Sequence, residues 1–245
     1  METLAKQDYW DASYQRVPFR VADEKDPLRK WIERHARRAG GRALEIGCYP
    51  GSYLAVLGEL GYQLNGMDLT PRTDKELPDW LRSKGYDVGT FRREDFFDVV
   101  AEPIYDVVAS FGFIEHFPNW DEVLRRHAAF VRPGGRLIIS TPNYRGSAQH
   151  LLHRLFDGEG LARHNLDSMD VRAWPRAAGE EFQTRWCGHF GGFAFWVEDQ
   201  PRNLAQRAAL RVIFQALPAM RRAVRFDSEA LSPFCGIVAD RNSRQ

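Results

Sequence analysis

Arg42-Ala-Leu-Glu-Ile-Gly-Cys-Tyr-Pro-Gly51, followed by Gly66-Met-Asp68, is the stretch that decides the fold. A short apolar run stops at Gly47, Gly51 opens a helical stretch, and the lone acid Asp68 ends the next apolar run. A doubly wound α/β sheet builds a nucleoside pocket in this way. A tight turn follows the first strand, and a carboxylate for the ribose diol ends the second.

Outward from that stretch, strand and helix signals alternate. Strands are predicted at Arg42–Gly47, Gln63–Asp68, Asp87–Arg92, Tyr105–Ser110 and Arg136–Thr141, with helices at Gly51–Leu60, Thr73–Lys84 and Asn119–Val131. Asn119 or Asp121 can cap the last helix, and Pro133-Gly134-Gly135 turns the chain into the next strand. Such alternation implies right-handed crossovers and a Rossmann-like, mostly parallel sheet with helices on both faces. Two helices precede it, over Gln7–Arg16 and Pro27–Arg38. After Thr141, Pro142–Ser168 reads as loop with a short amphipathic piece. A helix near Asp170–Ala178, a strand near Glu181–Cys187, an Arg-rich helix about Asn203–Val224 and a strand near Pro233–Asp240 follow. The ending predicts a seven-stranded α/β sheet closed by an antiparallel strand. One domain over 1–245 is expected: an N-terminal helical cap (1–40), a cofactor-binding core (41–143), and substrate or lid excursions at 144–180 and 188–228.

With 245 residues, 44% of them hydrophobic, the chain can bury a full core. A formal net charge of +1 gives no global pull toward nucleic acid, and no nucleic-acid partner is expected. Cys48, Cys187 and Cys235 are odd in number and form no CxxC pair, which predicts a reducing, cytoplasmic setting. The start, Met1–Asp8, lacks a signal-peptide pattern, and no apolar run is long enough for a transmembrane segment.

A dinucleotide enzyme wants a second glycine where Tyr49 and Pro50 stand, so that backbone can approach a pyrophosphate. A cofactor with a ribose and no phosphate tolerates the ring and the locked φ. S-adenosyl-L-methionine is such a cofactor. The segment Gly41–Asn143 resembles the class I S-adenosylmethionine-dependent methyltransferases. Glu45-Ile-Gly47-Cys-Tyr-Pro-Gly51 looks like their first motif, with Tyr49 departing from its middle glycine. Asp68 matches the acid ending the second strand, and Arg93-Glu-Asp95-Phe96 the segment whose acid reaches the adenine amino group. Tyr105–Phe117, with its Glu115-His116, looks like the fourth strand and its ending, and Leu124–Thr141 like the helix, turn and fifth strand. The resemblance implies a cofactor site of Glu45, Gly47, Gly51, Asp68, Leu69, Asp95, Phe96 and Phe111. Glu45 orients the loop or the cofactor's amino group, and Glu94 stands beside Asp95 as an alternative acceptor or turn cap.

The implied reaction is in-line transfer of a methyl group from a sulfonium to a nucleophile, for which the protein aligns reactants and removes water. Aromatic clusters at Phe111–Trp120 and Phe190–Trp196 suit a sulfonium, although most of those rings read as core; Phe111 and Phe113, beyond the fourth strand, could flank the adenine or sulfonium, with a plain core role equally open for each. An alcohol acceptor sheds a proton, and His116, just beyond the fourth strand, is the expected base or substrate orienter. His189 and His164 are the alternatives; His35, His127, His150 and His153 read as surface residues. No metal is expected, because no His/Asp/Glu cluster has ligand spacing.

Ser110-Phe-Gly-Phe113 replaces the N/D-P-P-Y sequence usual in nucleobase amino methyltransferases. The Glu-His ending and Ser140-Thr-Pro-Asn143 resemble small-molecule O-methyltransferases, and Tyr9-Trp10 with Tyr14 resemble the helix that folds over the cofactor in such enzymes. The expected substrate is therefore a small-molecule hydroxyl, of a sugar or secondary metabolite. A quinone- or phenol-type acceptor is the alternative, as is a non-catalytic partner protein that only binds the cofactor. A nicotinamide oxidoreductase is disfavoured by Tyr49-Pro50. Arg202, Arg207, Arg211, Arg221, Arg222 and Arg225 span a run without acids. It reads as a solvated face, or as a dock for an anionic or sugar-linked substrate or a membrane surface. Oligomeric state is not legible.

Overall fold

The computed structural model describes residues 2–36, 40–198 and 200–243. In chain order the elements are α1 (Gln7–Tyr14), α2 (Pro27–His35), β1 (Arg42–Ile46), α3 (Ser52–Glu59), β2 (Gln63–Met67), α4 (Glu76–Ser83), β3 (Val88–Arg92), β4 (Tyr105–Phe111), α5 (Trp120–Ala129) and β5 (Val131–Pro142). Then follow α6 (Ser147–Phe156), α7 (Gly158–Ala162), α8 (Trp174–Ala178), β6 (Phe182–Phe190), α9 (Leu204–Ala223) and β7 (Phe234–Arg241).

The strands form one sheet in the order β3-β2-β1-β4-β5-β7-β6. The first five pair in parallel, and β7 runs antiparallel to both β5 and β6. β1 and β2 are buried along nearly their whole length, the continuous apolar reading of strands covered on both faces. One core layer, with Leu124, Ile139, Trp174 and Ile237, fills the α5–α8 face; the other, with Ile32, Leu54, Leu57 and Ile138, fills the α2–α3 face. The strand order reverses between β1 and β4, and the crevice at that switch point is where an open α/β sheet binds its ligand.

Local chemistry explains the helix ends. Pro27 opens α2, and the Asp26 side chain accepts from the Leu28 and Arg29 amides. Trp31 of α2 stacks on Phe190 of β6 at 4.6 Å. Gly236 leaves room for that indole, since a Cβ there would stand 3.0 Å from it and 2.8 Å from the Ile139 carbonyl.

Several boundaries differ from expectation. The fifth strand starts at Val131 and runs through Pro133-Gly134-Gly135, and β6 continues through His189 to Phe190 because Gly188 pairs opposite Gly236. The helix expected over Thr73–Lys84, α4, begins at Glu76, after turns at 69–75. The expected helix at Asp170–Ala178 is a 3-10 turn, Val171–Ala173, followed by α8. α1 ends at Tyr14 and α2 at His35; Arg37 and Arg38 lie outside the described residues. His127 and His153, expected on the surface, are fully buried: Nδ1 of His127 bonds the Val123 carbonyl and His153 faces Asp157 at 3.1 Å. No helix among the described residues is long and apolar enough to cross a membrane.

Candidate functional site

The turn after β1 is shaped by two glycines. Gly47 (φ 69) takes a left-handed conformation, and a Cβ there would reach 2.6 Å from Phe113. Gly51 (φ 84) caps α3 and would collide with Leu77. Tyr49 turns away from the crevice: its hydroxyl accepts from Arg72 at 2.6 Å, and its ring packs on Tyr14 and Phe19 at 5.3 and 5.7 Å. Space for a cofactor therefore remains despite the lost middle glycine.

That space is a partly open cavity lined by residues at the ends of β1 and β4. Asp68 stands at its base. One carboxylate oxygen accepts from the Tyr49 amide at 3.0 Å and the other from Thr70 at 2.8 Å, which holds the group in place and leaves lone pairs for a diol. Burial raises the Asp68 pKa against those bonds. Gly47, Asp68, Leu69, Asp95 and Phe96 all line the cavity, and so does Glu94. Asp95 also caps its own turn, accepting from the Phe97 amide at 2.9 Å. Arg126 of α5 fixes this loop by donating to the carbonyls of Phe96, Phe97 and Val99.

Three expected cofactor residues lie elsewhere. Gly51 shapes the helix start behind the cavity. Glu45 is buried beneath the turn, bonded to the Leu54 amide, with its pKa raised by burial and by Asp68. Phe111 packs edge-on against Tyr53 at 5.4 Å, on the α3 side. The ring on the cavity wall is Phe113 instead, because Gly112 (φ 79) reverses the chain between the two phenylalanines. Phe96, Phe97, Phe113 and Phe117 make an aromatic wall, with Phe113 and Phe117 at 5.1 Å.

The roof comes from the N-terminal segment. Thr3, Ala5, Gln7, Trp10 and Tyr14 line the cavity, whereas no described residue of 144–180 or 188–228 does. Two bonds to the His116 carbonyl hold this strap, from the Leu4 amide at 2.7 Å and the Thr3 hydroxyl at 3.1 Å. Arg163 latches α1 from the side: it pairs with Glu198 and lies 4.2 Å from the Tyr9 ring centroid. Sequence pattern gave no signal for Thr3, Arg163 or Glu198, since their partners are remote in the chain.

His116 lines the acceptor end of the cavity, under the Trp10 ring at 4.9 Å. Its Nδ1 lies 2.9 Å from the Arg163 carbonyl, so Nδ1 carries the proton and Nε2 is a free acceptor. His164 is held likewise by the Gly160 carbonyl at 2.6 Å, and the two rings meet at 4.6 Å. Glu115 is fully buried, its two oxygens have no hydrogen-bond partner, and one stands 3.9 Å from His116 Nε2. Asn165 assembles the group, donating its amide to the Glu115 carbonyl and its side chain to Phe117 and Pro118. Burial pushes Glu115 up to about 8; burial and His164 push His116 down to about 3, and burial lowers His164. Glu115, His116 and His164 each offer a ligand atom within 4.8 Å of the others, the one such group among the described residues. His189 is apart from it, on β6 opposite Cys235, with no bond to Nε2.

A family model described as a methyltransferase domain matches residues 20–216. The chain is 27% identical over 194 residues to a ubiquinone biosynthesis O-methyltransferase of Stutzerimonas stutzeri, covering 73% of this chain and 79% of that one. It is 32% identical over 143 residues to the protein of that name from Burkholderia cenocepacia, covering 55% of this chain and 58% of the other. Among solved structures, the fold is shared with magnesium protoporphyrin IX methyltransferase from Synechocystis (TM-score 0.57, 15% identity, 96% and 97% covered). It is also shared with geranyl diphosphate C-methyltransferase from Streptomyces coelicolor (TM-score 0.58, 15% identity, 87% and 78% covered).

Proposed function

From the premise that this chain belongs to the methyltransferase-domain family and is an S-adenosylmethionine-dependent methyltransferase, we propose that it methylates a hydroxyl group on an aromatic small molecule. The sugar alcohol expected first from the sequence yields to a phenol- or quinone-type acceptor. Two observations support that choice: the relatives are named for ubiquinone biosynthesis, and rings of Trp10, Phe113 and Phe117 line the acceptor end. The observation that carries the reading is the free Nε2 of His116 on the cavity wall, opposite the carboxylate that would hold a ribose.

When bound, the cofactor supplies a methyl group already activated by a sulfonium charge. Asp68 would accept both ribose hydroxyls, and Asp95 or Glu94 the adenine amino group. The phenylalanine wall would exclude water and would suit a positive charge. His116 Nε2 takes the proton as the new carbon–oxygen bond forms. While Glu115 is protonated, His116 is a weak base; once Glu115 ionises near pH 8, a carboxylate 3.9 Å away stabilises the imidazolium. Work in the cytoplasm is part of the reading, supported by three cysteines that are all free.

A second reading is favoured by one observation. His116 and His164 both turn an unprotonated Nε2 away from a backbone carbonyl that fixes the tautomer, as metal-binding histidines do. Dialysis against a chelator separates the two: activity that survives supports a purely protonic cluster, and activity restored only by a divalent cation supports a metal.

The main test is transfer of isotope-labelled methyl from S-adenosylmethionine to a panel of catechols, phenols and nucleotide sugars. Label is expected in aromatic ethers. Label confined to sugars overturns the acceptor class, and absence of cofactor binding by calorimetry overturns the reading entirely.

A further inference from the structure

α9 buries only Leu210 and Leu217 of its 20 residues, which pack on Phe193, Phe195 and Leu152. The opposite side is apolar as well. Leu204, Ala208 and Val212 follow one another at four-residue spacing, with Leu204 83% and Val212 64% exposed. Gln206 donates to the Leu155 carbonyl, which sets α9 beside α6, where Leu151 and Leu155 are also exposed. A helix with a second, outward apolar stripe has more apolar surface than its own core uses.

Charge decides what covers it. Arg207, Arg211, Arg221, Arg222 and Arg225 stand on or just beyond α9, and none forms an ion pair among the described residues. No acid lies between residues 202 and 225. At the C-terminal end of α9, Arg221 joins Lys25, Lys30 and Arg34 around an open cavity that Trp31, Phe190 and Phe193 also line. Its one described acid, Asp227, is occupied by the Gly192 amide at 2.9 Å.

We propose that the outward face of α9, with the cationic cavity at its end, docks the protein on an anionic phospholipid surface. The apolar stripe enters the boundary between headgroups and acyl chains, and the arginines reach back to phosphates. A second copy of the chain would set the same arginines against each other. A nucleic-acid backbone would leave Leu204, Val212, Leu151 and Leu155 without a partner. The proposal is independent of the acceptor's identity, because it is read on protein without substrate.

Co-sedimentation of the full chain with phosphatidylcholine vesicles, with and without phosphatidylglycerol, tests it. Partitioning is expected to be at least tenfold stronger with phosphatidylglycerol and to fall as salt is raised. Val212→Asp and the pair Arg207→Glu with Arg211→Glu should each weaken it about tenfold, with cofactor affinity and Tm unchanged. Equal binding to both vesicle types, or variants that partition like wild type, would overturn the proposal. So would a lipid-free dimer in ultracentrifugation that the same variants dissociate, or duplex DNA binding that outcompetes the vesicles.

Discussion

Asp68 is the residue proposed to hold the ribose of the cofactor. Two charge-assisted hydrogen bonds to a ribose disappear in Asp68→Ala, and calorimetry should show S-adenosylmethionine binding weakened at least about tenfold. Unchanged affinity would remove Asp68 from the site. Glu115 makes a prediction about stability. Its pKa is about 8 in the folded protein against 4.5 when free, so the folded state keeps a proton that the unfolded state releases. That contribution is complete below about 4.5 and is lost as pH rises through 8. His116 shifts oppositely, from 6.5 to about 3, and its contribution is lost as pH falls from 6.5. Between pH 6.5 and 8, then, wild type should lose stability relative to Glu115→Gln by about 1.4 kcal/mol per pH unit. Denaturant unfolding across that range checks it, and parallel curves would show that Glu115 ionises normally. The places of Gly47, Asp68 and Asp95 on the cavity wall were legible because each is set locally, by a turn, a strand end and a loop. Glu115 and His116 were half legible as neighbours. His164 joins them through the Arg163 carbonyl on His116 and the Asn165 amide on the Glu115 carbonyl, contacts no pattern in the sequence encodes, and of Phe111 and Phe113 the reversal at Gly112 puts only Phe113 on the cavity wall.

Among elements, α1 buries no residue of its own, yet its Gln7, Trp10 and Tyr14 line the cavity. Arg163 is the lateral latch, paired with Glu198 and stacked on Tyr9. Arg163→Ala should speed release of S-adenosylhomocysteine and raise its Kd about three- to tenfold, measured by stopped-flow fluorescence of Trp10. A release rate equal to wild type would place the latch elsewhere. The alternation of strands and helices was readable from periodicity and glycine stops. The ends of β5 and β6 were not, since a glycine-rich stretch reads as a turn until a partner strand pairs with it. Gly188 opposite Gly236 is such a case.

At the scale of the molecule, the closing hairpin and α2 are joined through one missing side chain. Gly236→Ala would push a methyl into the Ile139 carbonyl and the Trp31 indole, so thermal unfolding should report a loss of about 1–3 kcal/mol. A Tm equal to wild type would mean that α2 shifts freely on the sheet. The doubly wound order was legible because parallel strands demand crossovers, whereas the packing of α2 on β6 depends on residues far apart in the chain. The strap over the crevice joins fold to turnover. Its two bonds hang from the backbone oxygen of His116, the histidine on the cavity wall. Displacing this strap would therefore break both bonds, so the proposed proton acceptor and the roof of the donor chamber share one anchorage.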